Sequence, residues 1–227
     1  MRASRSVLTF LTAAAVVGTL VACAPTAEVS TLPATVDEPV VEAPADEAPA
    51  DNGDTAEFAN PVTEPGELLT TITGEGFSVA VYQVGTEKAS KTGQFATPDG
   101  KPVIEVGADI VFVNYVVTNT GTADIPLGYS LVDISARYED WPYLQGMDSV
   151  VDSALFESLQ VNSSALAAGA GDAPFVWKPG TSFSYGQNFL YQAGSPIVFS
   201  VSLTPVDAAG DLLHDEGQDI DGATSIK

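Results

Sequence analysis

Hydrophobic and polar positions divide the chain into stretches of different character. Val7 to Ala22 is an apolar run without a charge. Residues 24–66 show no apolar period at all. From about Glu67 to Asp207, short apolar or alternating runs recur between Gly, Pro, Asn and Asp, the pattern of strands joined by turns. Leu68–Thr73 and Phe77–Val84 are the first two runs. In the second, Phe77, Val79 and Val81 alternate with Ser78, Ala80 and Tyr82, which suits a half-buried strand. Thr86 to Thr97 is polar and reads as a loop. Pro98-Asp99-Gly100 reads as a turn, because Gly accepts the positive φ that such turns need. Pro102–Val106 reads as a short strand. Asp109–Thr120 carries the strongest signal: it is dominated by β-branched and aromatic residues, with Val111, Val113, Tyr115 and Val117 on the face assigned to the core.

Ile125–Tyr138 continues the series, and its Pro126 and Gly128 place it at a sheet edge or at a bulge. Residues 139–172 carry the weakest pattern. Ser149-Val150-Val151-Asp152 has the form of a capping box, and Val151, Leu155 and Leu159 share helical spacing, so a short helix is expected near 149–159. Ser163–Gly171 reads as loop. Ala173–Trp177, the Pro179-Gly180 turn, Ser182–Tyr191 and Pro196–Thr204 complete the strands. In the last of them Ile197, Phe199, Val201 and Leu203 alternate with Val198, Ser200 and Ser202. About eight strands with almost no helix predict an all-β fold, an immunoglobulin-like antiparallel β-sandwich over 67–207, with a closed barrel as the alternative. Beyond it, 208–227 is acidic and poor in apolar residues, which predicts a flexible tail.

The N-terminal run explains the rest of the architecture. Arg2 and Arg5 precede it, and at 16 residues it is short for a bilayer span, which needs about 20. It ends in Leu20-Val21-Ala22-Cys23, which resembles the lipobox of bacterial lipoproteins, and that resemblance implies diacylation of Cys23 and removal of residues 1–22 as a signal peptide. Cys23 is the single cysteine of the chain, so no disulfide can join two of its own residues. Residues 23–66 then read as the lipidated Cys and a disordered acidic Pro/Ala-rich tether. The stretch 24–66 holds seven prolines and ten acidic residues with no Lys or Arg, and Glu-Ala-Pro-Ala-Asp occurs twice, at 42–46 and 47–51. Ordering such a stretch costs entropy that no core offsets. It reaches about 130 Å if polyproline-like and about 40 Å as a coil. The expected location is therefore the cell membrane, lipid-anchored through Cys23, with the domain facing the extracellular or cell-wall side.

Charge removes some partners. The net charge is −22, and losing Arg2 and Arg5 makes it more negative. Such a surface repels nucleic acid and anionic headgroups, so no nucleic-acid partner is expected and the membrane is met through the lipid alone.

Two stretches carry a second resemblance. Val113-Asn114-Tyr115-Val116-Val117-Thr118-Asn119-Thr120-Gly121 is similar to the strand-Asn-x-Gly signature of telokin-like, immunoglobulin-fold domains in secreted proteins and lipoproteins of Gram-positive bacteria. Trp177-Lys178-Pro179-Gly180-Thr181 with Phe183 is similar to the Pro-Gly and amphipathic strand that come later in those domains. The physical sense is that an Asn side chain ties off backbone groups where a core strand ends, and Pro-Gly resets the chain into the next strand. The resemblance covers roughly 70–205, and 139–172 departs from it as a long insert. It implies an adhesive or accessory surface module. The Ala, Gly, Val and Asp content fits an actinobacterial source.

Candidate chemistry is sparse. A hydrolase needs a nucleophile beside a base, and the single His is His214, in the expected tail. Copper or zinc needs clustered His, Cys or Met, and the chain offers His214 and Met147. Asp215, Glu216, Asp219 and Asp221-Gly222 have the start of a calcium loop, but Gly217 stands at the first ligand position and no closing Glu follows. No cofactor, no metal and no catalytic residue are expected. Tyr138, Trp141 and Tyr143, beside Glu139 and Asp140, form the one aromatic group near the insert; they either cap the sandwich or make a possible interaction surface. The expectation is a non-enzymatic, membrane-anchored lipoprotein whose sandwich binds an envelope protein or wall component. An enzyme or solute-binding protein on the same scaffold, and a structural spacer, are the alternatives.

Overall fold

The structure is a computed structural model, and residues 54–227 are described. Leu20, Val21, Ala22 and Cys23, the signal peptide and most of the expected tether lie outside the described residues.

Among the described residues nine strands form: β1 (Asp54–Thr55), β2 (Glu67–Gly74), β3 (Phe77–Lys88), β4 (Asp109–Asn119), β5 (Ile125–Tyr138), β6 (Phe175–Trp177), β7 (Thr181–Leu190), β8 (Pro196–Pro205) and β9 (Gln218–Ser225). One helix, α1 (Ser153–Ser158), and a 3-10 turn at His214–Glu216 complete the elements. The strands pack as a sandwich of two sheets, ordered β1-β7-β4-β3-β2 and β6-β5-β8-β9. All pairs are antiparallel except β1, which runs parallel to β7 through Asp54↔Thr181 and Thr55↔Ser182.

Val111, Val113, Tyr115 and Val117 face the interior as expected, against Ile134, Tyr138, Phe199 and Val201 of the other sheet. Each such side chain fully buried contributes about 1.5–3 kcal/mol, which lets the core stand without a disulfide. The outer face of the first sheet is buried as well, so Phe77–Val84 is not half-exposed: its Ala80 and Tyr82 pack with Val116, Val62 and Leu68. On the same face Ile110 and Phe112 are covered by Ala89, Ile104, Val150 and the apolar side of α1. Strands buried on both faces read as continuous apolar runs, which is what Ile110–Val117 is.

Five readings differ from expectation. Strand β3 runs on to Lys88, and Pro102–Val106 is a loop, held by the Ala96↔Pro102 bridge, by the Gly93 N–H on the Ile104 carbonyl at 2.9 Å and by the buried Ile104 side chain. The helix near 149–159 is shorter, with Asp152, rather than Ser149, as its cap: the Asp152 carboxylate accepts from the Ala154 N–H at 3.0 Å. Residues 54–66 belong to the domain and not to the tether. Phe58 is 4% exposed and meets Phe175 and Phe183 with ring centroids 5.3 and 5.8 Å apart. The expected flexible tail is corrected too, since β9 pairs with β8 from Pro196↔Ser225 to Leu203↔Gln218 and Ile226 is fully buried.

β9 also closes one seam between the sheets. The Gln218 side chain donates to the Glu75 carbonyl at 3.0 Å and accepts from its N–H at 2.8 Å. Gln83 does the same for Lys227, at 2.9 and 2.8 Å. Between these two amide clamps Gly222 lies on Ile72, where a Cβ would stand 2.3 Å from the Ile72 Cγ1.

Candidate functional site

The opposite seam is built differently, and a sizeable cavity lies there. Strand β5 starts with Ile125–Leu127 paired to β6, then loses register between Leu127 and Val132, with Leu131 at φ 52°. This is the bulge that Pro126 and Gly128 signalled. Beyond Leu127, β5 pairs with β8 alone, so its other side carries no strand from Val132 to Ala136, and at Tyr138 the N–H donates to the Met147 Sδ at 3.3 Å. Past Ser182, where β1 ends, no strand covers β7; Asn162 of the insert bonds its backbone instead, accepting from the Gly186 N–H at 2.9 Å and donating to the Ser184 carbonyl at 3.3 Å.

Side chains of β7 reach across the gap to this edge. The Tyr185 hydroxyl donates to the Val132 carbonyl at 3.0 Å, and the Gln187 amide donates to the Ile134 carbonyl at 2.9 Å. Tyr115 in turn donates to the Gln187 Oε1 at 3.0 Å. Since the carbonyls of Val132 and Ile134 point to the open side, the backbone groups of even-numbered residues face the gap and those of Asp133, Ser135 and Arg137 face β8.

The 139–172 insert forms the far wall. The Asn188 side chain is buried and grips Val150 twice, accepting from its N–H at 2.8 Å and donating to its carbonyl at 2.9 Å. Asp148, 1% exposed, accepts from the N–H groups of Gln94, Phe95 and Ser149 at 2.7–3.1 Å and so ties the insert to the 89–108 loop. Asn162 donates to Pro61 O at 2.9 Å and to the Ser184 hydroxyl at 3.1 Å. Val161 fits against Gly186, where a Cβ would stand 2.2 Å from its Cγ1.

Between wall and edge lies a cavity of about 430 Å³, lined by Asp133 to Ala136 of β5, Met147 and Val150 of the insert, and Gly186 to Phe189 of β7. A second cavity of about 220 Å³ continues it along β5 from Tyr129 to Asp133, sharing Asp133 and Ser163. Asp133 is the charged side chain lining both. All six Lys and Arg of residues 54–227 are engaged elsewhere. Lys88, Lys101, Lys178 and Lys227 pair with Asp109, Asp99, Glu57 and Glu67. Lys91 donates to Val151 O at 3.2 Å, and Arg137 to Tyr143 O at 2.9 Å.

Burial raises the phenols of Tyr115, Tyr138 and Tyr185 above their ordinary range, so these hydroxyls remain donors at neutral pH. For Tyr138 the Gln192 N–H works against that rise.

The aromatic group at the start of the insert caps the sandwich. Tyr138 is fully buried and donates to Leu190 O at 3.0 Å; Trp141 is 6% exposed, and Tyr143, half-buried, stacks edge-on against it at 5.4 Å. Tyr138 and Trp141 therefore form no exposed interaction surface. His214 and Asp215 are exposed at the 3-10 turn, while Asp219 and Asp221 lie on β9, so these residues do not share one loop. The residues that shape the groove, Asp133, Tyr185, Gln187 and Asn188, were not singled out by sequence. The available signal was polar Gln187-Asn188 inside an otherwise apolar strand end.

No known family model matches the chain, and no curated protein matches it. Among solved structures, a functionally unknown protein from Listeria monocytogenes EGD-e is 10% identical, with a TM-score of 0.37 over 72% of this chain and 85% of that one. A candidate lipoprotein (ycdA) of Bacillus subtilis is 12% identical, with a TM-score of 0.32 over 72% of this chain. This chain spans 39% of the length of that second protein. At these scores neither likeness bears on what the chain does.

Proposed function

We propose that the chain is a surface lipoprotein, anchored through a diacylated Cys23, whose sandwich is a non-catalytic binding module for an envelope protein or wall component. The anchor rests on Leu20-Val21-Ala22-Cys23 together with the acidic, Pro-rich stretch that follows it. A telokin-like relationship remains part of this proposal, carried by the two signature stretches. The observation that carries the binding role is the groove along β5, a preformed concavity whose wall is held by buried hydrogen bonds from Asn188 and Asp148. Loops fixed on a rigid scaffold are where recognition surfaces are usually built.

Two measurements test this reading. Labelled palmitate should mark the wild type and leave Cys23→Ala unmarked; label persisting in the variant overturns the anchor. A photo-crosslinking residue at Ser135, in the groove, should capture an envelope component that the same residue at Thr73 of β2 does not. Both positions are exposed, but Thr73 does not line the groove. Equal capture at the two positions, or none, overturns the binding role. The cavity volume also favours a second reading as a small-solute site, since such sites occupy roughly 300–1,000 Å³. In that case Ser135 crosslinks only small molecules.

A further inference from the structure

Resting on the binding-module reading, we infer that the groove takes an extended polypeptide segment of a partner protein, added as an extra strand to the open edge of β5, with a basic side chain opposite Asp133.

Three observations converge on this ligand class. First, the edge offers backbone groups. The backbones of Val132, Ile134 and Ala136 turn away from β8, and no described strand pairs with them. These residues are 1, 1 and 8% exposed, so their N–H groups lie in a partly dry setting where a backbone partner gains most. Tyr185 and Gln187 hold two of the carbonyls from the core side, which fixes this edge past the bulge with no strand on that side. A second lone pair on each carbonyl remains for an incoming N–H.

Second, the two cavities lie end to end along that edge, from Tyr129 to Ala136. Past the bulge, the five residues Val132 to Ala136 extend about 16 Å, room for about five residues of an added strand. Inward side chains of such a strand would enter the larger cavity over Met147, Val150 and Phe189, and alternate ones would face solvent.

Third, charge selects among occupants. Asp133 lines both cavities, and every described Lys and Arg is already engaged. A Lys or Arg across from Asp133 is therefore favoured. The chain's own 24–53 stretch is the wrong ligand: it has no basic residue, and its prolines lack ladder donors. A second copy is disfavoured because the insert walls the edge off from a bulky partner.

The test uses the full chain in detergent micelles and an acetylated, amidated hexapeptide, Thr-Val-Lys-Val-Thr-Val, with amide hydrogen exchange read over β5. Binding should slow exchange at Val132, Ile134 and Ala136, whose N–H groups face the groove. Methylating the peptide nitrogens that face β5 should weaken binding by ~10-fold for each hydrogen bond lost. Replacing the peptide Lys by Glu should weaken it ~3- to 5-fold, and Asp133→Lys should reverse that preference. Ala136→Pro removes an edge donor without touching the β8 ladder and should abolish binding. If that variant fails to fold, Asp133→Lys still decides the matter.

Equal binding of the methylated peptide, or protection that maps elsewhere, overturns the inference. So does protection that rises with protein concentration, which would make a second copy the occupant. Protection without peptide that disappears when 24–53 is deleted would assign the groove to the chain itself and overturn the inference equally. If the peptide fails while Ser135 still crosslinks an envelope component, the inference falls and the binding-module reading stands. If both fail, the module reading falls with it.

Discussion

Substituting Asn119 by Ala tests whether one side chain joins the two signature stretches of the domain. Asn119 ends β4 and is fully buried. Its Nδ2 donates to Trp177 O at 2.9 Å and to Ala123 O at 3.1 Å, and its Oδ1 accepts from Gly121 N at 3.0 Å. Its own carbonyl accepts from Gly180 N at 2.8 Å, so the strand-Asn-x-Gly stretch and the Trp-Lys-Pro-Gly stretch are bound to each other. Alanine keeps that last bond and deletes the other three. At about 1 kcal/mol net for each, with a further penalty for the buried Trp177 carbonyl left unpaired, the expected loss is about 3–4 kcal/mol. With a urea m-value of about 2 kcal/mol/M, the unfolding midpoint should fall by about 1.5–2 M at unchanged slope. Asn119→Asp should be at least as damaging, because it turns a carboxylate oxygen toward two carbonyls and buries a charge. A midpoint shift below about 0.5 M for Asn119→Ala would refute the argument and make the hydrogen bonds incidental to packing.

Two further outcomes follow from the same geometry. Gly222→Val places side-chain atoms against Ile72 at the β2–β9 seam, so a loss of about 1–3 kcal/mol is expected in urea titration, with residues 218–227 exchanging amide protons first; unchanged stability would show that β9 is not seated there. Alkali should unfold the domain through Tyr115, Tyr138 and Tyr185. Burial lifts these phenols in the folded state above the ordinary 10.0, so the stability they contribute is complete below that pH and is lost as pH rises toward their folded values. Phenolate absorbance from these three should therefore appear together with the loss of circular dichroism. Ionisation of all three near pH 10 with the dichroism intact would contradict it.

Sequence pattern identified the strands wherever one face was apolar and long enough. Val111 to Val117 and Ile197 to Leu203 lie where alternation placed them. It misjudged the number of buried faces on the first sheet, although Ile110, Phe112 and Val116 interrupted the polar alternation that a solvated face would show. The missed strand β9 has a weak pattern for a physical reason. It is an edge strand with Asp219 and Asp221 outward, and its inward positions include Gly222, chosen for close approach to Ile72. Phe58 was overlooked because composition around it is acidic and proline-rich, yet Phe58, buried Ala56 and Ala59, and backbone bonds to β7 and the insert seat 54–66 on the core.

The groove was illegible for a deeper reason, which follows from how the sandwich treats its edges. One seam, between β2 and β9, is closed by a full strand and two amide clamps. The other ends in strands of two and three residues, β1 and β6, too short to cover β7 and β5. An uncovered edge is an aggregation hazard unless something blunts it. Here the insert walls it off, the bulge at Leu131 bends it, and Tyr185 and Gln187 occupy part of its hydrogen-bonding capacity. These devices blunt the edge while leaving the cavities that run along it. Recognition there would depend mainly on backbone groups of β5, which carry no residue-type signature. Tyr, Gln and Asn on a strand are ordinary residues until the fold sets them beside an edge with no neighbour.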